Sequence, residues 1–287
     1  LRFSYPHFQD LFRFSIYIFL FQFVNFFEKK SDNLLIGYFL GEIALGYYAI
    51  AYRVLEVITQ LLVGTINQVA LPTFSRLQTN MTLFRQTFLQ AIQFTSLIAF
   101  PAFLGLLALT SEIIIIVFGK QWIPSIPVLQ ILVFLGILSS FAYFNWSVFL
   151  ALGKPYLKFC LSLINILISF TVAFFVVKWG ITAVALTFVI SSYLIFPFTL
   201  WTLTKLISIS LKQYLQQFIT PLISSFIMML AILSVKYFFA MYFNTIILLI
   251  ICTIFAILSY GISIKLINPT LFKKLFDIVF FSLPKVL

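Results

Sequence analysis

Charge is scarce in this chain. Of 287 residues, 9% are charged, whereas a soluble domain carries roughly 25%. A soluble globular class is therefore excluded, and no stretch between the apolar runs is long enough to form a soluble domain of useful size. Histidine is nearly absent, with His7 alone near the start, where a surface role is expected. The two cysteines, Cys160 and Cys252, are far apart and within apolar stretches. Neither has a disulfide-framework or metal-site spacing, so both are expected to be free, buried thiols. No cofactor is implied. The connections expected outside the membrane are short and hold no histidine, no paired carboxylates and no cysteine cluster. Glu42 and Glu112 stand singly on separate turns. A membrane glycan ligase or polymerase would need a larger loop carrying acid, base or metal ligands, so an enzyme is not expected.

Apolar surface is abundant instead. Hydrophobic residues make up 63% of the chain and the mean hydropathy is +1.14. Apolar runs of about 20 residues, the length needed to cross a bilayer, recur from end to end. The fold class is thus an all-α integral membrane protein with eight spans. They are A (11–40), B (43–72), C (86–109), D (125–152), E (156–177), F (181–204), G (217–239) and H (244–266). A short apolar segment, 111–119, separates C from D. Strands of a barrel would instead give alternating segments of about 10 residues. The tail 270–283 reads as an amphipathic helix on the membrane surface. Leu1 rather than Met stands first and no signal-peptide pattern precedes span A, so a piece of a longer protein is expected.

The net charge of +11 follows from orientation rather than nucleic-acid binding. With residue 1 in the cytoplasm, twelve Lys and Arg fall on the inner side. Three, Lys120, Lys178 and Lys236, fall outside, and Lys29, Lys30 and Arg53 lie within spans. This bias predicts that both ends are cytoplasmic. Trp122 and Trp179 then fall at the outer interface and Trp201 near the inner one.

The informative feature is charge inside spans A and B: Glu28, Lys29, Lys30, Asp32, Arg53 and Glu56. An intramembrane charge costs about 2.5–3.5 kcal/mol on insertion scales and by default marks a transport pathway. At 100° per residue, Gln22, Asn25, Glu28, Lys29 and Asp32 share an arc of about 120° on span A, with Lys30 off it. On span B, Arg53, Glu56, Gln60, Gly64 and Asn67 share an arc of about 80°. Two such faces at similar depth can line one cavity, with Lys29–Asp32 and Arg53–Glu56 as neutralising i, i+3 pairs. Two alternatives stay open. The segment 28–33 could be an outer loop, which would leave 33–72 as one helix of about 40 residues, too long for a bilayer of about 30 Å without a break. The Arg53–Glu56 pair could be structural glue between helices.

Five blocks carry a resemblance: 32–41 (DNLLIGYFLG), 44–53 (ALGYYAIAYR), 71–78 (LPTFSRLQ), 118–122 (FGKQW) and 151–155 (ALGKP). In this order and spacing they resemble the polysaccharide flippases of the multidrug/oligosaccharidyl-lipid/polysaccharide exporter superfamily. The resemblance implies 14 helices, as two lobes of six plus a final pair. Residues 1–208 would be the second lobe, and 209–287 the final pair with its tail; the first six helices would be missing from this chain. It implies translocation of a lipid-linked oligosaccharide, on undecaprenyl pyrophosphate, from the inner to the outer leaflet by alternating access. The location implied is the bacterial cytoplasmic membrane and the pathway cell-surface polysaccharide biosynthesis. By the same resemblance Lys29, Lys30, Asp32 and Arg53 take the cavity role, and spans G and H flank a groove for the lipid tail. A sodium ion or proton is a candidate coupling cation. The runner-up is a multidrug/cation antiporter of the same superfamily, with Asp32 and Glu56 binding the cation.

Overall fold

The computed structural model describes residues 5–273. It is all helix among the described residues: α1 (Tyr5–Leu77), α2 (Met81–Val117), α3 (Ser125–Ala151), α4 (Pro155–Val176), α5 (Ile181–Ile207), α6 (Leu211–Phe239) and α7 (Thr245–Ile267), with single 3-10 turns at Lys120–Trp122 and Val177–Trp179. Seven of these helices are long and apolar enough to cross a membrane.

Spans A and B are the two limbs of α1. Gly41 interrupts the helix at φ 83° and ψ 178°, a backbone conformation open to glycine and to little else. The chain doubles back there. The Tyr48 hydroxyl donates to Asp32 Oδ2 at 2.8 Å, across sixteen residues that a straight helix would separate by about 24 Å. A Cβ on Gly37 would lie 3.3 Å from the Leu45 side chain, so the limbs nearly touch. Eight expected spans thus map onto seven helices, and residues 28–33 are helical rather than a loop.

Two boundaries differ from expectation. Span C and the segment 111–119 form one helix, α2, because Glu112 does not have to leave the apolar phase. Its carboxylate lies 2.8 Å from Lys236 Nζ of α6. Span G begins earlier, at Leu211. Ser210 accepts from the Gln213 amide at 3.1 Å, and Gln213 Oε1 accepts from the Ser210 amide at 3.0 Å. This reciprocal cap starts the helix and takes in the polar lead LKQYLQQF. Cys160 is exposed on α4 rather than buried, whereas Cys252 is buried as expected. Most of the tail expected to lie on the membrane surface falls outside the described residues.

Helices α1, α3, α4 and α5 share one core with part of α2, built on residues such as Tyr48, Phe103, Leu129, Ala173 and Val184. Gly136 of α3 allows the tightest crossing in it: a Cβ there would lie 2.7 Å from Leu55 Cδ1. Helices α6 and α7 pack on α2 through Leu104, Ala108, Met228, Ile232 and Cys252. Proline leaves a carbonyl one turn back without its helical donor, and neighbouring helices serve two such carbonyls here. Pro101 frees Leu97 O, which accepts from the Tyr260 hydroxyl of α7 at 2.6 Å. Pro221 frees Gln217 O, which lies 3.2 Å from the Ser96 hydroxyl of α2, whose one proton is shared with Gln93 O at 2.7 Å. Outward faces are apolar. Phe175, Leu194 and Ile257 are all more than half exposed, as lipid-facing residues of a membrane bundle should be.

Candidate substrate cavity

Span A carries its polar residues at helical spacing, and α1 directs them between α3, α4 and α5. A cavity of about 310 Å³ opens there. The first limb of α1 contributes Gln22, Asn25, Glu28, Lys29 and Asp32, and the second limb adds Tyr52. Facing them are Ser139, Tyr143 and Trp146 of α3, Lys158 of α4 and Ser192 of α5. A recess of about 110 Å³ adjoins it, sharing Glu28, Ser139, Lys158 and Ser192 and adding Asn145, Ser162, Asn165 and Thr199. At 1.5 Å per residue Asn165 lies about 15 Å along α4, and Asp32 about 14 Å from the Gly41 bend, which is half the thickness of a bilayer.

Each carboxylate in the cavity is held. Asn165 Nδ2 donates to Glu28 Oε1 at 2.6 Å. Asp32, 2% exposed, accepts from Tyr48 and, at 2.7 Å, from the Asn33 amide. The expected Lys29–Asp32 ion pair is not formed, because Asp32 turns toward the second limb and Tyr48. The two cations stay outside any ion pair. Lys158 Nζ stands over the Phe21 ring at 5.7 Å from its centroid, and Phe21 stacks on Trp146 at 4.1 Å. Ion pairs among the described residues are Arg53–Glu56 and Lys236–Glu112, so Lys29 and Lys158 present their charge to the cavity.

The expected site residues therefore divide. Gln22, Asn25, Lys29 and Asp32 line the cavity, together with Glu28. Lys30 is exposed outside it. Arg53 and Glu56 pair at 3.1 Å on another face of the second limb, with side chains 68% and 34% exposed. Gln60 is exposed on that limb. Asn67 also lies on it, and its side chain is outside those described. The faces of spans A and B thus do not close on one another.

Sequence reasoning missed the far wall. Lys158, Ser162, Asn165 and Ser169 recur at i, i+4, i+7 and i+11, a polar stripe along α4 of the same kind as the one on span A. Lys158 is one of the twelve basic residues that the orientation bias places on the inner side, and the rest are small and neutral. The stripe continues onto α5, where the Ser169 and Ser191 hydroxyls meet at 2.7 Å.

Residues 1–127 match the family described as polysaccharide biosynthesis protein. The chain is 30% identical over 214 residues to "Teichuronic acid biosynthesis protein TuaB" of Bacillus subtilis (strain 168), covering 74% of this chain and 44% of that protein. It is 32% identical over 117 residues to "Lipopolysaccharide biosynthesis protein WzxC" of Escherichia coli (strain K12), covering 41% of this chain and 24% of that one. It thus spans less than half the length of these relatives. Among solved structures, "Lipid II flippase MurJ, inward closed conformation" superposes with a TM-score of 0.71 at 20% identity, over 94% of this chain and 57% of that one. That likeness is one of fold. The family match over residues 1–127 and these relatives agree with the resemblance carried by the sequence blocks, that to the polysaccharide flippases of the multidrug/oligosaccharidyl-lipid/polysaccharide exporter superfamily.

Proposed function

We propose that the protein carrying this chain moves a lipid-linked oligosaccharide, carried on undecaprenyl pyrophosphate, from the inner to the outer leaflet by alternating access, for cell-surface polysaccharide. It is a transporter rather than an enzyme. It sits in the bacterial cytoplasmic membrane with both ends in the cytoplasm, as the basic-residue bias favours. One observation carries the reading: a polar cavity at mid-membrane depth with two unpaired lysines, Lys29 and Lys158, on its wall. Carriers of alternating-access type hold substrate near the midplane. An ammonium there offers charge-assisted hydrogen bonds to a pyrophosphate. The bound carboxylates Glu28 and Asp32 keep the wall from being uniformly cationic, which suits a ligand with both phosphate and hydroxyl groups.

The exposed Arg53–Glu56 face looks toward the remainder of a full-length protein, where Arg53 joins the pyrophosphate site from the opposite side of the substrate path. Residues 1–208 act as one lobe, and α6 and α7 flank the path of the polyprenyl tail with their apolar surfaces. A sodium or proton gradient is the energy source in this scheme. The multidrug/cation antiporter reading is less favoured. It needs Asp32 and Glu56 free for a cation, and one is held by Tyr48 and the other by Arg53.

The test is reconstitution of the full-length protein in liposomes with a lipid-linked oligosaccharide confined to one leaflet. Transfer to the other leaflet at a rate well above that of protein-free vesicles is expected. Translocation of small organic cations, with no movement of the lipid-linked saccharide, would favour the antiporter.

A further inference from the structure

We propose that the recess between α3, α4 and α5 is a saccharide subsite that seats one sugar ring of the headgroup, a proposal that rests on the transport reading above. The recess is lined by small polar side chains together with Glu28 and Lys158. Ser162 is 2% exposed and its hydroxyl has no hydrogen-bond partner. Asn165 is 7% exposed; its amide nitrogen holds Glu28, while its Oδ1 has no partner. Leaving a buried polar atom unsatisfied costs about 1–3 kcal/mol, so a donor and acceptor set of this kind points to a bound hydroxyl-bearing group. Thr199 of α5 borders the same space.

Size and surroundings select a sugar. A water takes a share of about 30 Å³ in the liquid, so 110 Å³ holds roughly four water-sized groups. A hexose has about a dozen non-hydrogen atoms, so it inserts an edge of hydroxyls and leaves its ring face at the mouth. There the larger cavity supplies the Trp146 indole, braced by Phe21 at 4.1 Å. An aromatic face beside a few fixed polar groups is the usual make-up of a small-molecule site. Water would satisfy Ser162 and Asn165 but would make no use of the Trp146 surface that lines the adjoining cavity. Lys158 borders both spaces, so a ring in the recess lies next to the cation proposed for the phosphate.

The test uses the full-length protein, free of other cysteines, with Ser162→Cys. The rate of reaction with a small cationic thiosulfonate is measured with and without methyl glycosides of a neutral hexose, an N-acetylhexosamine and a hexuronate. At a concentration about four times its Kd, at least one glycoside should slow labelling about fivefold by mass action, while mannitol leaves it unchanged. Thr199→Cys should respond in the same way and serves if Ser162→Cys does not fold. Labelling unaffected by all three glycosides would mean that the recess holds water alone, and a site that does not label at all would mean that it is closed; either overturns the proposal. Flipping by the parent protein is measured alongside. A parent that flips while no glycoside protects refutes the subsite and leaves the transport reading standing. Protection in a parent that does not flip refutes transport and leaves the sugar site.

Discussion

The contact between Lys236 and Glu112 predicts how firmly the last two helices are held. Lys236 Nζ reaches both Glu112 oxygens, Oε1 at 2.8 Å and Oε2 at 3.0 Å, together with Ala108 O at 2.9 Å and Ser111 Oγ at 3.3 Å. The side chains are 22% and 9% exposed. Lys236→Met strands a nearly buried carboxylate. Breaking a buried pair by removing one partner costs about 3–5 kcal/mol, and the part-exposed lysine lowers this to about 2–4 kcal/mol. At about 2–4 °C per kcal/mol for a chain of this size, detergent-solubilised protein should lose roughly 4–16 °C in Tm. Glu112→Gln alone leaves the ammonium a neutral carbonyl partner and should cost less. The double variant Lys236→Met with Glu112→Met removes both charges and should recover most of the loss, since replacing a buried pair by apolar residues is often near neutral. Tm values from the four proteins of the cycle give the coupling directly. A Lys236→Met protein that melts within about 1 °C of wild type, on the same scale, would show that α6 is held by the apolar packing of its Ile232 and Val235 against Leu104 and Ala108 alone.

Three further outcomes follow from the geometry. Tyr260→Phe should cost about 1–2 kcal/mol by leaving the Leu97 carbonyl without a donor, and the loss should vanish in a Pro101→Ala background, where the helical amide returns; equal losses in both backgrounds would count against the proline account. Gly41→Leu forces a side chain into an extended positive-φ conformation that is almost confined to glycine, at a cost of about 1–3 kcal/mol, so its Tm should drop although a Cβ there meets no neighbour. Arg53→Gln should abolish flipping while folded protein stays in the membrane, and adding Glu56→Gln should not restore it; a double variant at wild-type rate would leave the pair as structural glue.

Much of the architecture is legible from residues alone, for physical reasons that differ by element. Apolar runs report spans because each must cross about 30 Å of hydrocarbon, and α3, α4, α5 and α7 begin and end close to where composition changes. The sharp reversal at Gly41 was less visible, since glycine in an apolar run is equally compatible with close helix packing. Glu112 misled because an acid reads as a helix end until its partner is known, and Lys236 lies more than a hundred residues away. The cavity shows the same division. The stripe on span A is local, so the 3.6-residue period exposes it. Its counterpart on α4 is just as periodic, but serine and asparagine carry no charge to draw attention. The contacts Tyr48–Asp32 and Asn165–Glu28 depend on which helices become neighbours, which no local pattern contains.

The most direct test of the central claim is the flipping rate of the full-length protein with Lys158→Gln, measured in liposomes against Lys120→Gln. Lys158 borders both the cavity and its recess, whereas Lys120 sits on the turn between α2 and α3, away from both. A charge-assisted hydrogen bond to the substrate is worth about 1.5–3 kcal/mol, equivalent to roughly 10- to 150-fold. Lys158→Gln should therefore lose at least about tenfold in rate at subsaturating substrate, with folded protein and Tm unchanged, while Lys120→Gln flips as wild type does. A folded Lys158→Gln protein that flips at the wild-type rate would contradict the assignment of this cavity to the substrate.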